Sequence, residues 1–253
     1  MSGGKIMPRF FVDKSNIDIT SGVITVDGED ARHISRSLRM AVGEQITVCD
    51  GEGTEHVCCL EQIRDTGSVC RIISSAPSVA ESPCRISVYQ ALVKGDRMDI
   101  AIQKSVEFGA YEIRPFEASR CIVKSKGDDG AKAARRSKIA LEAAKQCGRG
   151  IIPQVLPVVS FAEMLKAASE AQLAIFCYED EHTLKLGTLL SSLSSPPATV
   201  AIVIGPEGGF SPDEAKLAAD AGLRSVSLGS RILRTESAAA FALACIAEEF
   251  ELK

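Results

Sequence analysis

The sequence lacks both standard phosphate-binding fingerprints. No G-x-x-x-x-G-K-[ST] string occurs, and no G-x-G-x-x-G follows a strand pattern: Gly51-Glu52-Gly53 is followed by His56 where a third glycine would stand. That excludes a P-loop and disfavours a dinucleotide-dependent oxidoreductase. No apolar run approaches the roughly eighteen residues a membrane helix needs, and no signal-peptide pattern precedes the first charges. The nine cysteines are odd in number, scattered and never spaced C-x-x-C. Adjacent Cys58 and Cys59 would face opposite sides of a strand. Neither a disulfide framework nor a metal site is expected, and a reducing cytoplasm is the expected location. The three histidines all lie far in sequence from the two glycine loops near the C-terminus.

What is present is ordinary globular material. The chain has 253 residues, 45% apolar and 25% charged, with a net charge of −4, enough for two domains. Residues 1–6 read as unstructured, with Met7-Pro8-Arg9 as the natural start. Residues 9–76 carry β-branched runs at 22–27, 45–49, 54–63 and 68–73, separated by turn signals, which predicts a small barrel. A helix is expected over 30–40, capped by Asp30 and burying Ile34, Leu38 and Ala41, with Arg32, Arg36 and Arg39 turned elsewhere. The small, proline-bearing stretch 74–83 reads as a linker, so the domains are set at 1–76 and 77–253. Beyond it strands (85–93, 112–115, 173–178, 199–204, 225–228) alternate with helices (96–108, 131–147, 161–169, 183–191, 212–221, 237–250). That alternation predicts an α/β domain with a mostly parallel sheet.

The glycine loops dominate this second half. Val200-Ala201-Ile202-Val203-Ile204 runs into Gly205-Pro206-Glu207-Gly208-Gly209-Phe210 and then Ser211-Pro212-Asp213-Glu214, a capping box with proline at the first helical position. Val226-Ser227-Leu228-Gly229-Ser230-Arg231-Ile232-Leu233-Arg234-Thr235-Glu236-Ser237 leads into an alanine-rich helix. Loops leaving the carboxyl ends of parallel strands are where such sheets bind ligands. The glycines let main-chain groups meet a ligand directly, or simply mark strand-to-helix turns. Glu207 would repel a polyphosphate, so a cationic or neutral ligand fits better.

Basic residues cluster elsewhere. Between Arg114 and Arg149 ten Lys or Arg stand against four acids. Arg135, Lys138, Glu142, Lys145 and Arg149 share one helical stripe, and Ile139, Ala143 and Cys147 another, with Gln146 near the apolar one. In the preceding helix Met98, Ala101, Ile102 and Val106 form a core stripe, while Arg97 and Lys104 share a different face near Lys94. Such stripes are either solvated or a specific nucleic-acid surface. The loop 125–130 reads as mobile.

The paired strings Gly205-Pro206-Glu207-Gly208-Gly209 and Leu228-Gly229-Ser230-Arg231-Ile232-Leu233-Arg234-Thr235-Glu236 resemble the trefoil-knotted SPOUT methyltransferases. They look like the bacterial family that methylates uridine N3 in small-subunit ribosomal RNA. The likeness extends from Arg9-Phe10-Phe11-Val12 through Lys94-Gly95-Asp96-Arg97-Met98 to the last helix. Phe108 and Ser237 depart from the Leu and Thr of that pattern, conservatively. The resemblance implies a PUA-like, RNA-binding barrel followed by a knotted α/β methyltransferase domain, and S-adenosyl-L-methionine as methyl donor. It also implies a homodimer, with 16S ribosomal RNA or the assembled small subunit as partner. Gly205, Pro206, Glu207, Gly208, Gly209, Leu228, Gly229, Ile232, Leu233 and Thr235 would then hold the donor. Arg234 would stabilise a deprotonated base, with Glu236 orienting it or accepting a hydrogen bond. Arg9, Arg32, Arg36, Arg39, Lys94, Arg97, Lys104, Arg135, Lys138 and Arg149 would meet RNA. A ribose 2′-O-methyltransferase and a non-catalytic RNA-binding or assembly factor are the competing readings.

Overall fold

The computed structural model describes residues 7–125 and 130–253; the expectations for residues 1–6 and for 126–129 of the loop 125–130 lie outside them. The chain divides into two compact units, one of Met1–Glu81 with Ala144–Ile152, the other of Ser82–Ala143 with Pro153–Lys253.

In the first unit β1 (Arg9–Phe11), β2 (Ile17–Asp18), β3 (Val23–Asp27), β4 (Gln45–Cys49), β5 (Thr54–Gln62) and β6 (Gly67–Pro77) pair in the order β1-β4-β5-β6-β3-β2. All ladders are antiparallel except β1 with β4. No ladder joins β1 to β2 among the described residues, so the expected barrel is an open one. The period-two pattern works as sequence predicts: Ile24, Val26, Cys58 and Leu60 are buried with Phe10, Ile46 and Val48, while Cys59 is only half-buried.

Two expectations are corrected here. The helix over 30–40 is α1 (Gly28–Arg32) followed by a π-helical turn, His33–Ser37. The wider turn rotates the residues after it off the helical face: Ala31 and Ile34 are buried, whereas Leu38 and Ala41 are exposed. Asp30 lies inside α1 and pairs with Lys145 at 2.9 Å instead of capping. The linker also starts later than expected. Thr54–Val57 of β5 pair with Ser74–Pro77, so a boundary at 76/77 falls inside β6. The unit is completed by the returning segment, whose Gly150 and Ile151 amides donate to Glu81 at 2.9 and 3.0 Å.

The second unit comprises β7 (Arg85–Ala91), α2 (Arg97–Glu107), β8 (Glu112–Glu117), α3 (Gly130–Cys147, its last turn counted with the first unit), β9 (Gln154–Val155), β10 (Val159–Ser160), α4 (Phe161–Ala168), β11 (Leu173–Cys177), α5 (Leu186–Ser191), β12 (Thr199–Ile204), α6 (Pro212–Asp220), β13 (Arg224–Val226) and α7 (Thr235–Phe250). Every ladder is parallel, in the order β10-β8-β7-β12-β11-β13, with β9 on β8. β11 is buried throughout, as a strand covered on both faces must be. Adjacent β7 and β12 send their following chain to opposite sides, α2 towards β8 and α6 towards β13. Their carboxyl ends therefore open the crevice that such sheets use for ligands.

The α2 stripe of Met98, Ala101, Ile102 and Val106 is buried as predicted. On α3 the direction differs: Arg136, Ala140, Ala143 and Ala144 are buried and Gln146 is exposed. Two residues beyond Ala144 is about 200° around the helix, which puts Gln146 on the outer side. It holds no buried amide.

Candidate functional site

The first loop leaves β12 at Gly205 and is folded back on itself. Phe210 is 1% exposed and packs against Phe176, its ring tilted 33° with 4.1 Å between centroids, anchoring the loop in the core. A Cβ at Gly205 would meet that ring at 3.0 Å. The Gly209 amide donates to Pro206 O at 3.0 Å. Gly209 has φ +65°, a conformation that favours glycine, and an added Cβ would have to push the Glu179 carboxylate aside. The capping box forms as read: Glu214 N donates to Ser211 Oγ at 3.2 Å and Ser211 N to Glu214 Oε2 at 2.9 Å.

The second loop leaves β13 and is held by residues well before it. Ser227 N donates to Leu184 O at 2.8 Å, and Leu186 N donates to Ser227 O at 3.1 Å. Gly229 (φ +113°) and Ile232 are exposed, Leu228 and Leu233 half-buried. Helix α7 begins at Thr235, two residues earlier than expected, with Arg234 as its N-cap residue.

The two loops are joined. Thr235 Oγ1 donates to Gly205 O at 2.7 Å and accepts from Gln90 Nε2 at 2.8 Å. Thr235 is 6% exposed, and its hydroxyl is an internal clasp between the two loops. Gln90 (1% exposed) was missed; a lone amide inside the apolar run Val88–Val93 was the available signal.

Acidic and basic side chains then divide. Glu207 accepts from Lys94 N at 3.2 Å and from Arg97 Nη1 at 3.1 Å, while its Oε2 is buried without a partner. Glu236 Oε2 is likewise buried and unpartnered, and no ion pair links it to Arg234 among the described residues, so the expected orienting contact is not made. Arg234 is exposed. Arg120 and Glu179, beside Gly208 and Gly209, were also missed; nothing in their local sequence marks them. At the end of β11, burial pushes the Cys177 thiol up to about 12, so it is no nucleophile.

The expected RNA contacts sort by burial. Arg149 is 3% exposed and bonded to Glu81 at 2.6 Å, and Arg9 is bonded to Glu55 at 3.0 Å and to Cys49 at 2.8 Å. Both charges are matched inside the first unit; Arg149, being buried, is withdrawn as an RNA contact, whereas Arg9 is half-buried and already paired. Arg32, Arg36 and Arg39 are exposed, Arg36 paired with Asp65. In the second unit Lys94 and Lys138 are exposed, Arg135 pairs with Asp99, and Lys104 pairs with Glu107 at 2.6 Å. Among the described residues no group of three or more His, Cys, Asp or Glu could hold a metal, and no helix is long and apolar enough to cross a membrane.

Two clasped glycine loops at the crevice of an all-parallel sheet define an α/β ligand-binding enzyme domain. Residues 80–247 match the family model described as an RNA methyltransferase domain, and residues 26–73 one described as an RNA methyltransferase PUA domain. The chain belongs to the family of the ribosomal RNA small subunit methyltransferases E. A relative of that name from Bacillus subtilis is 32% identical over 251 residues, covering 97% of this chain and 98% of its own. One from Mycobacterium tuberculosis is 32% identical, covering 94% and 90%. The crystal structure of the Neisseria gonorrhoeae enzyme bound to S-adenosyl methionine has a TM-score of 0.84 at 32% identity, covering 96% of this chain and 98% of that one.

Proposed function

We propose that the protein is an S-adenosylmethionine-dependent methyltransferase acting on N3 of one uridine in 16S ribosomal RNA, free or in the assembled small subunit. The observation that carries this reading is the clasp itself. The Thr235 hydroxyl joins the two loops, and the first carries a buried carboxylate oxygen of Glu207 that has no partner among the described residues. A buried acceptor of that kind is costly unless a ligand donor meets it, and this cofactor brings an amine and a net positive charge. The main chain of Glu207–Gly209 and of Leu228–Leu233 would hold the nucleoside.

When bound, the cofactor supplies an electrophilic methyl group on a sulfonium. The protein aligns the acceptor and stabilises its charge. Arg234, exposed at the start of α7, would serve the anionic base. The hydrogen bonds of Ser227 with Leu184 and Leu186 and of Thr235 with Gly205 and Gln90 tie the segment 227–235 at both ends, as the knot that the family resemblance implies would require. The homodimer is supported by apolar side chains left exposed on α2 and α7, Ile100 at 41% and Phe241 at 40%. Nine free cysteines fit a reducing cytoplasm.

The test has two stages. Calorimetry should show S-adenosylmethionine binding, which a relic fold would lack. Mass spectrometry of 16S RNA from cells with and without the protein should then place one methyl on a uracil ring; a ribose methyl would decide for 2′-O chemistry.

A further inference from the structure

We propose that Arg120 is a catalytic residue, its guanidinium contacting the target uracil and stabilising the anion that accepts the methyl group. The proposal rests on the methyltransferase reading above and deepens it by naming a cation outside both glycine loops. Placement is the first support. Arg120 Nη1 donates to Gly208 O at 3.1 Å, and the Cβ that Gly208 lacks would lie 3.3 Å from Arg120 Cβ. The arginine stem thus lies against the main chain of the first loop, and a side chain at 208 would displace it.

Rigidity is the second. Arg120 sits at the tip of a turn closed by Cys121 N donating to Ala118 O at 3.2 Å, with Ala118 and Cys121 only 2% and 6% exposed. Its neighbour Ser119 donates to Glu214 twice, from N at 2.7 Å and from Oγ at 2.9 Å. Glu214 is the carboxylate of the α6 capping box, 6% exposed. One acid therefore fixes both the end of the first loop and the turn carrying Arg120.

Charge is the third. Arg97, Arg135, Arg9 and Arg149 each have a carboxylate partner. Arg120 is exposed, and among the described residues no carboxylate lies within ion-pair distance of it. One of its five N–H donors is used, on a carbonyl. A fixed guanidinium with a spare planar fork, beside a ligand loop, suits a delocalised anion with adjacent acceptors. The uracil N3 anion is one, its charge shared with O2 and O4. The N3 proton leaves to hydroxide or water. The N3 lone pair then bonds to the methyl carbon as the carbon–sulfur pair returns to sulfur, giving a neutral base and a neutral thioether.

The experiment uses the full chain with small ribosomal subunits from cells lacking it, comparing wild type with R120A and R120K. Both variants should bind S-adenosylmethionine within about threefold of wild type by calorimetry. Single-turnover transfer by R120A should fall about 100-fold, and its half-maximal rate should move about one unit to higher pH, with R120K between. Without turnover, wild-type affinity for the subunits should rise from pH 7 to 9, and that rise should flatten in R120A. An unchanged rate and pH profile would overturn the proposal. So would weaker subunit binding with a salt slope smaller by about one and an unmoved pH profile, the signature of a phosphate contact. If R120A melts early, R120Q, which keeps the stem, replaces it. A wild type that binds no S-adenosylmethionine overturns the underlying reading instead.

Discussion

At the scale of single residues, Thr235 carries the arrangement of the site. Its hydroxyl spends its one proton on Gly205 O and accepts the Gln90 amide, so three segments distant in sequence meet at one oxygen. Thr235→Val removes both bonds with little change in volume and leaves a buried donor and a buried acceptor unmet. We expect S-adenosylmethionine binding to weaken about tenfold, corresponding to roughly 1–2 kcal/mol. Thr235→Ser should stay near wild type, and calorimetry decides; equal loss in both variants would mean that the methyl packing matters and the clasp does not. A second prediction concerns Gly209. Alanine there is strained by φ +65° and must displace the Glu179 carboxylate. Gly209→Ala should therefore weaken cofactor binding about tenfold, the equivalent of about 1–2 kcal/mol of backbone strain, whereas Gly187→Ala, in α5 with open space around it, should not.

At the scale of elements, helix α6 does more than cover the sheet. Burial alone would raise the Glu214 pKa, but hydrogen bonds from Ser119 and Ser211 outweigh it and hold the group below the usual carboxylate range. The folded value lies below the unfolded one, so the stabilisation is present above the unfolded carboxylate pKa of about 4.3. It is lost as pH falls through the folded value. Glu214→Gln should cost about 1–3 kcal/mol at pH 7, with the gap to wild type narrowing as unfolding is measured towards pH 3. A gap independent of pH would show that shape, not charge, is what α6 requires. In the first unit, Glu81 ties the returning segment to the sheet through Arg149, Gly150 and Ile151. Glu81→Ala removes the acceptor shared by the Arg149 guanidinium and the Gly150 and Ile151 amides and should cost about 1–3 kcal/mol, read from urea unfolding.

At the scale of the whole molecule, a net charge of −4 coexists with a basic segment, and burial decides how much of that segment RNA could meet. Arg9 and Arg149 are spent internally, while Arg135 and Lys138 remain exposed on α3. Replacing Arg135 and Lys138 together by alanine should weaken subunit binding and reduce its salt slope by about one to two. An unchanged slope would remove α3 from the interface. Exposed Phe241 sets a further test: if two copies associate through α7, Phe241→Asp should shift the mass seen by light scattering from dimer to monomer.

Strand, loop and helix around both glycine motifs were legible in the chain alone, and so was the cap of α6; α7, whose N-cap residue Arg234 makes no side-chain cap, starts two residues earlier than its sequence suggests. The parallel sheet and the residues that build its core were legible too. Each depends on periodicity, or on bonds among residues a few places apart, as in the Ser211–Glu214 box. The π-helical turn at 33–37, the outward Gln146, the inward Thr235 hydroxyl and the roles of Gln90 and Arg120 were not legible. Those depend on which donor meets which acceptor across long separations, 145 residues for Gln90 with Thr235 and 95 for Ser119 with Glu214. Whether a charge is free or matched is likewise a property of packing. Composition places an arginine on a stripe; only the tertiary structure brings, or withholds, the carboxylate that neutralises it.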